Sequence, residues 1–226
     1  SIVSADSIVT RPAPPPPPVP NHRSVLALDG DEIRPFVQPN AFIAPSASVI
    51  GSVVVNDKAA VMYGAVVRGD LGLIHIGAFS IIGENATLAA GAIDGELSAS
   101  DAVHTGLAMK IDLLVGDYSH VGANTSLASC TLKGRNYIGA GSTISPGAII
   151  GIGSVLEPNS MVPPDTEIPP AEVWGGKPAR KIRSLSQDEI STFERFASQS
   201  YVTTCEHAYE FLPVGFGYLE REKLSP

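Results

Sequence analysis

The sequence predicts an all-β solenoid of parallel strands, three short strands to each rung, and two observations carry that reading. Aliphatic residues recur every six positions, at Ile43, Val49, Val55, Val61 and Val67, then Ile76, Ile82 and Leu88, then Val115, Val121 and Leu127, and without a break from Leu132 to Ile168. Four residues after most of these anchors the side chain is small, as at Ala47, Ala59, Ala65, Ser80, Ala86, Ser119, Ser142 and Ser160. A period of six matches neither the 3.6 of a helix nor the alternation of a half-exposed strand. It is the mark of a repeat. Each hexad supplies a strand whose anchor points into a prism, followed by a corner where only a small side chain fits. Three hexads close a triangle, and rungs stacked about 4.8 Å apart satisfy one another's peptide groups without hairpins. Eighteen anchors, three to a rung, make about six rungs.

Taken in order, residues 1–40 lack the hexad and read as an extended arm. Seven of the ten residues from Arg11 to Pro20 are proline, which favours polyproline II, a stiff form with no internal hydrogen bonds that lies along a partner rather than building a core. The solenoid occupies residues 41–172. Its phase slips by three residues between Val67 and Ile76, around Asp70 to Leu73, and by one between Leu127 and Leu132. Between Leu88 and Val115 an extra stretch, residues 92–113, leaves the prism as a protruding loop, and loops of that length are usually functional or partner-binding. Residues 173–212 read as a linker and helix. Ser186-Gln-Asp-Glu189 is a capping box, and Ile190, Phe193, Ala197, Tyr201, Thr204 and Ala208 form an apolar stripe suited to covering one side of the prism. Residues 213–226 are a tail.

Composition narrows the function. With 15 Lys and Arg against 23 Asp and Glu the net charge is −8, and without a basic run nucleic acid is excluded as a partner. No apolar stretch approaches the roughly 20 residues of a transmembrane span. Cys130 and Cys205 form no spacing motif, which favours a reduced compartment and a buried structural role for Cys130. The chain begins at Ser1 without methionine, as it would after removal of a targeting segment.

Several stretches occur in an order that resembles the γ-class carbonic anhydrase family: Ala65-Val-Val-Arg-Gly-Asp70, Val115-Gly-Asp-Tyr-Ser-His-Val-Gly122, Leu127-Ala-Ser-Cys-Thr-Leu132, Val162-Pro-Pro-Asp-Thr-Glu-Ile-Pro-Pro170 and Val173-Trp-Gly-Gly-Lys-Pro-Ala179. The resemblance implies a left-handed β-helix and a trimer with zinc between neighbouring subunits. The arm, the loop and the C-terminal helix most resemble the carbonic-anhydrase-like subunits of mitochondrial complex I (NADH:ubiquinone oxidoreductase). The three places where the family carries zinc-ligating histidines are Ala89, Ala123 and Ala128, and the place of its polar helper is Gly83. No catalytic residue, no metal ligand and no cofactor follow, because a methyl group offers zinc no lone pair. Arg68, Asp70 and Asp117 are retained, and the resemblance gives them structural roles at the trimer interface.

Of five histidines, His22, His75, His104, His120 and His207, none has metal-site spacing with another. The expected function is therefore a structural, catalytically silent subunit, in a heterotrimer with γ-carbonic anhydrase homologues, bound to membrane-arm subunits of complex I on the matrix side of the inner membrane. An active zinc-dependent carbonic anhydrase is the alternative. A hexapeptide acyltransferase, with His104 as its base, is the third reading.

Deleting Ser1 to Pro20 is expected to leave the melting temperature unchanged while weakening incorporation into a larger assembly, because polyproline II buries little within its own chain. Thermal denaturation and co-purification of the truncated chain check both halves.

Overall fold

Inward aliphatics at every sixth position and peptide groups bonded from rung to rung generate a three-sided prism. The computed structural model describes residues 25–28, 33–91, 112–186, 188–192, 195–196 and 199. The first face stacks Phe42–Ile43, Ala60–Val61, Ile81–Ile82, His120–Val121, Tyr137–Ile138, Val155–Leu156 and Glu172–Gly175. The second stacks the opening halves of the long strands Ser48–Val55 and Val66–Ile76, then Thr87–Ala89, Ser126–Ala128, Thr143–Ile144 and Met161–Val162. The third takes Phe36–Val37, the closing halves of the same two long strands, then Leu113–Val115, Thr131–Leu132, Ile149–Ile150 and Glu167–Ile168. These pairs are parallel, and the architecture is a left-handed hexapeptide-repeat β-helix of about 7 rungs.

The anchors behave as their spacing requires. From Val49 to Ile168 those of the hexad series are at most 1 % exposed. The small residues at the corners are equally buried, and the hydroxyls of Ser80 and Ser142 bond between rungs, whereas the buried Ser119 hydroxyl has no partner. Ser80 Oγ donates to the Gly116 carbonyl (2.9 Å) and accepts from the Ser119 amide (3.1 Å). Ser142 Oγ donates to the Glu157 carbonyl (3.1 Å) and accepts from the Ser160 amide (3.3 Å). A buried hydroxyl costs stability unless it is bonded, and at Ser80 and Ser142 the next rung supplies the partners at fixed height. The corners turn through the left-handed region, where asparagine is tolerated better than most residues: Asn85, Asn124 and Asn159 sit at φ 54, 55 and 57°.

The prism is longer than the hexad count implied. Val25–Leu26 pairs with Val49 and Ile50, and Phe36–Val37 with Val54 and Val55, so part of the stretch read as an arm belongs to the first rung. Val37 keeps the six-residue phase with Ile43. An end rung has a neighbour on one side alone, so it needs backbone pairing more than buried anchors, and Val25, Leu26 and Phe36 are 37, 37 and 58 % exposed. At the other end, Glu172–Gly175 still pairs in parallel with Val155–Leu156. The chain then reverses, and Arg180–Ser184 adds an antiparallel strand where a linker was expected.

The capping box forms as its residues suggest. The Ser186 amide donates to Glu189 Oε2 (2.9 Å) and the Glu189 amide to Ser186 Oγ (3.3 Å), while Arg183 grips the same carboxylate through two nitrogens at 3.0 and 2.8 Å. That hydrogen-bonded ion pair holds the exposed Glu189 carboxyl down at about 2. The helix so started lies on the first face. Ile190 packs against Gly153, and the Phe196 ring meets those of His120 and Tyr137 at 5.3 and 6.3 Å between centroids. Phe196 was not part of the expected stripe. Phe193, Ala197, Tyr201, Thr204 and Ala208 lie outside the described residues, as do residues 1–24, 92–111 and the tail.

Ile144→Ala is expected to destabilise the chain by about 2–5 kcal/mol, since it opens a cavity in a prism with no room to relax. Thr143→Ala, one residue away and facing out, should stay within about 0.5 kcal/mol. Chemical denaturation of the two variants side by side checks the inward and outward assignment.

Candidate functional site

Every break in the repeat falls on one edge, the corner between the second and third faces. The three extra residues near Asp70 lie there, where the ladder shifts between Gly51 and Val53. One rung on, the chain leaves the described structure after Gly91 and returns at Asp112, again on this edge. Gly91 and Ser129 hold that exit, the Gly91 amide donating to Ser129 Oγ (3.1 Å) and the hydroxyl donating back to the Gly91 carbonyl (2.9 Å). Asp112 Oδ1 accepts from the Leu73 amide (2.9 Å) at the re-entry. The five-residue step from Leu127 to Leu132 is the third break, with Ser129 at φ 37° and Cys130 buried beneath it. A regular solenoid repeats its corner every rung, so an edge that alone departs from the repeat is where something besides folding is built.

Ile50, Arg68, Ala89 and Ala128 form one outward column beside that edge, each the register partner of the next. Ala89 and Ala128 are thus direct neighbours on adjacent strands, both half-buried. Ala123 is elsewhere, at the corner between the first and second faces, where its carbonyl accepts from the Gly141 amide (2.8 Å). The second face separates it from the Ala89–Ala128 pair. A ligand touching all three positions therefore needs two chains, one presenting each edge. Gly83 lies one rung from Ala123 on that same corner, and a Cβ there would sit 2.7 Å from backbone atoms of Gly122 and Ala123. The place of the polar helper is filled by the next rung.

Arg68 turns to its own chain. Its Nε donates to both carboxylate oxygens of Asp70, at 3.0 and 2.9 Å, which raises the guanidinium's proton affinity further. The pair is largely exposed, so it orients charge at the rim more than it stabilises the fold. Asp117 is not beside them. It sits at the corner between the third and first faces, and its Oδ1 accepts from the Ala78 amide (2.7 Å), which ties two rungs together.

The histidines also separate. His75 faces out from the third face, its Nε2 paired with the Asn56 amide at 3.0 Å. His120 faces out from the first, under the helix. His22, His104 and His207 lie outside the described residues. Zinc takes deprotonated sulfur, imidazole nitrogen or carboxylate oxygen. Ala89, Ala123 and Ala128 offer none of these, and the residues present do not fit the ion. Among the described residues no three His, Cys, Asp or Glu side chains gather to hold a metal. Burial pushes the Cys130 thiol up to about 12, so at neutral pH it is neither a nucleophile nor a ligand.

The geometry defines a class first: a left-handed hexapeptide-repeat β-helix whose irregular edge carries the paired Ala89 and Ala128. No family model matches the chain. Gamma carbonic anhydrase-like 2, mitochondrial, of Arabidopsis thaliana is 41% identical over 191 residues, covering 84% of this chain and 70% of that protein. Gamma carbonic anhydrase 1, mitochondrial, of the same plant is 32% identical over 189 residues, covering 84% of this chain. The alignment spans 64% of that second relative, a little under two thirds of its length. A putative acetyltransferase of Bacillus cereus superposes with a TM-score of 0.70 at 27% identity, covering 81% of this chain and 95% of that one. The chain belongs to the γ-carbonic anhydrase family.

Cys130 in the folded chain is expected to resist iodoacetamide at pH 8, because it is 1 % exposed and protonated there. Peptide mass analysis before and after denaturation checks it, with modification appearing only once the prism opens.

Proposed function

We propose that the chain is a catalytically silent γ-carbonic-anhydrase-like subunit, serving structure in a mixed trimer on the matrix side of the membrane arm of mitochondrial complex I. The observation that carries this reading is the pair Ala89 and Ala128, in register at the irregular edge, with Ala123 at the opposite corner. With methyls at all three places there is no donor to hold zinc, and so nothing to bring a bound water's pKa near 7. The prism itself does not depend on the ion, because its ladder uses only the backbone of those residues and its aliphatic core uses none of their side chains.

The mitochondrial setting is supported by the names of relatives, among them the mitochondrial gamma carbonic anhydrase-like protein at 41% identity. Attachment to complex I is supported by the resemblance of the arm, loop and helix to its carbonic-anhydrase-like subunits. No helix among the described residues is long and apolar enough to cross a membrane, and the proposed attachment runs through neighbouring subunits. The likeness to a putative acetyltransferase favours a second reading, an acyl transfer with coenzyme A between copies and His104 as the base. That reading requires His104→Ala to abolish an acyl-transfer activity measured on the assembled protein.

In the family's arrangement each cleft takes two ligands from one subunit and the third from its neighbour, so one chain borders two of a trimer's three clefts. The native assembly is therefore expected to hold at most one zinc per trimer, and a homotrimer none. Anomalous scattering at the zinc edge, or metal analysis per trimer, checks this. Zinc beside Ala123 would overturn both the residue assignment and the silence. Replacing Ala89, Ala123 and Ala128 together by histidine is expected to recover metal binding with little activity, because Gly83 leaves no room for the side chain that would orient a bound water. Co-migration of the native chain with NADH dehydrogenase activity on a native gel tests the complex I attachment separately.

A further inference from the structure

His120 is placed where a change of charge has structural consequences. Its ring stacks on Tyr137, 5.1 Å between centroids at 12°, and the C-terminal helix sets the edge of Phe196 against it at 5.3 Å and 77°. Its Nδ1 is buried and has no hydrogen-bond partner. A bare nitrogen lone pair is tolerable in such a place. An N–H there is much less so, since a donor without an acceptor forfeits its solvation. The favoured neutral form therefore carries its proton on Nε2, and charging the ring forces a second N–H into an apolar contact.

The neighbouring strand Tyr137–Ile138 brings the Tyr137 ring, and the corner after Ile81–Ile82 brings Glu84, whose negative charge draws a proton toward the imidazole. The helix brings Phe196, with Arg195 beside it in sequence. Burial outweighs Glu84, and the ring's proton affinity falls below its ordinary value of 6.5. The cheapest escape for a charged ring is the element that covers it. The strand beneath is bonded on both sides to its neighbours, while Phe196 is 45 % exposed and sits on a short amphipathic segment at the prism's surface.

We propose that the C-terminal helix is a pH-sensitive latch, held on the first face while His120 is neutral and released when His120 takes a proton. The sign follows from linkage. The undocked state, with the ring in water, binds a proton at the ordinary pKa, and the docked state resists it. Docking is strongest above that value and weakens as the pH falls below it. Release would bare Tyr137, His120 and Val155 on the first face, so the same event converts a covered side of the prism into an open one.

Amide hydrogen exchange on the full chain, corrected for the intrinsic pH dependence of exchange, tests the latch at about pH 7.5 and about pH 5.5. Exchange in helical residues 188–192 is expected to rise several-fold at the lower pH, with the paired strands of the first face unchanged. His120→Phe keeps a ring on Tyr137 but cannot charge, and its helix should be equally protected at both values. Phe196→Ala removes the cover, and its helix should exchange fast at both. Equal protection of the native helix at the two pH values, or the same acid loss in His120→Phe, overturns the proposal. Because His120→Phe could misfold, an NMR titration of His120 in the native chain measures the same linkage without a substitution. A value below 6.5 is expected there, and one at or above it overturns the latch as well.

Discussion

The strand peptide groups of the prism bond to the equivalent position one rung above or below, and almost everything else about the protein follows from that register. A residue's neighbours are set by its place in the triangle, so equivalent positions meet repeatedly. Serine hydroxyls meet the carbonyls and amides of the next corner. At the corner between the third and first faces Lys58 lies 4.8 Å over the ring of Phe79, and Phe79 stacks on Tyr118 at 4.9 Å. The same rule puts Ala89 against Ala128. A residue added inside a strand would turn its side chains to the wrong face, so additions are confined to corners, where no alternation has to be kept.

That confinement explains why one edge carries all the irregularity. A corner can lengthen by three residues, take the insertion between Gly91 and Asp112 or shorten by one without disturbing the ladders that meet there. An outward side chain on such an edge can thus change at little cost to the fold. The methyls of Ala89, Ala123 and Ala128 take no part in the core, the hydroxyl ladder or the Arg68–Asp70 pair. Scaffold and chemistry are separable here in a way they are not in proteins whose metal organises the core.

The faces differ in how they are finished. The first receives the antiparallel strand Arg180–Ser184 at its end and the helix over its middle, anchored by a capping box and the Arg183–Glu189 pair. Phe36 and Leu114 remain exposed on the third. The covered face is also the one that holds a histidine beneath its cover, so docking and proton binding meet at a single side chain.

The hexad was legible because burial demands an aliphatic at the same place in every strand, and that demand is written in one dimension. Strand positions, corner residues, the breaks in phase and the helix cap could all be read that way. The first rung was harder, because an end strand is held by backbone bonds that any residue can make, and Val37 alone kept the phase. With three hexads to a rung, the count alone also puts the breaks after Val67, Leu88 and Leu127 on one corner. Tertiary structure alone decided the side-chain contacts made across the stack: that Ser129 holds the exit at Gly91, that Asp117 bonds the Ala78 amide, and that Phe196 closes over His120. Those contacts depend on side-chain directions and on where the last helix returns over the prism, which the repeat does not contain.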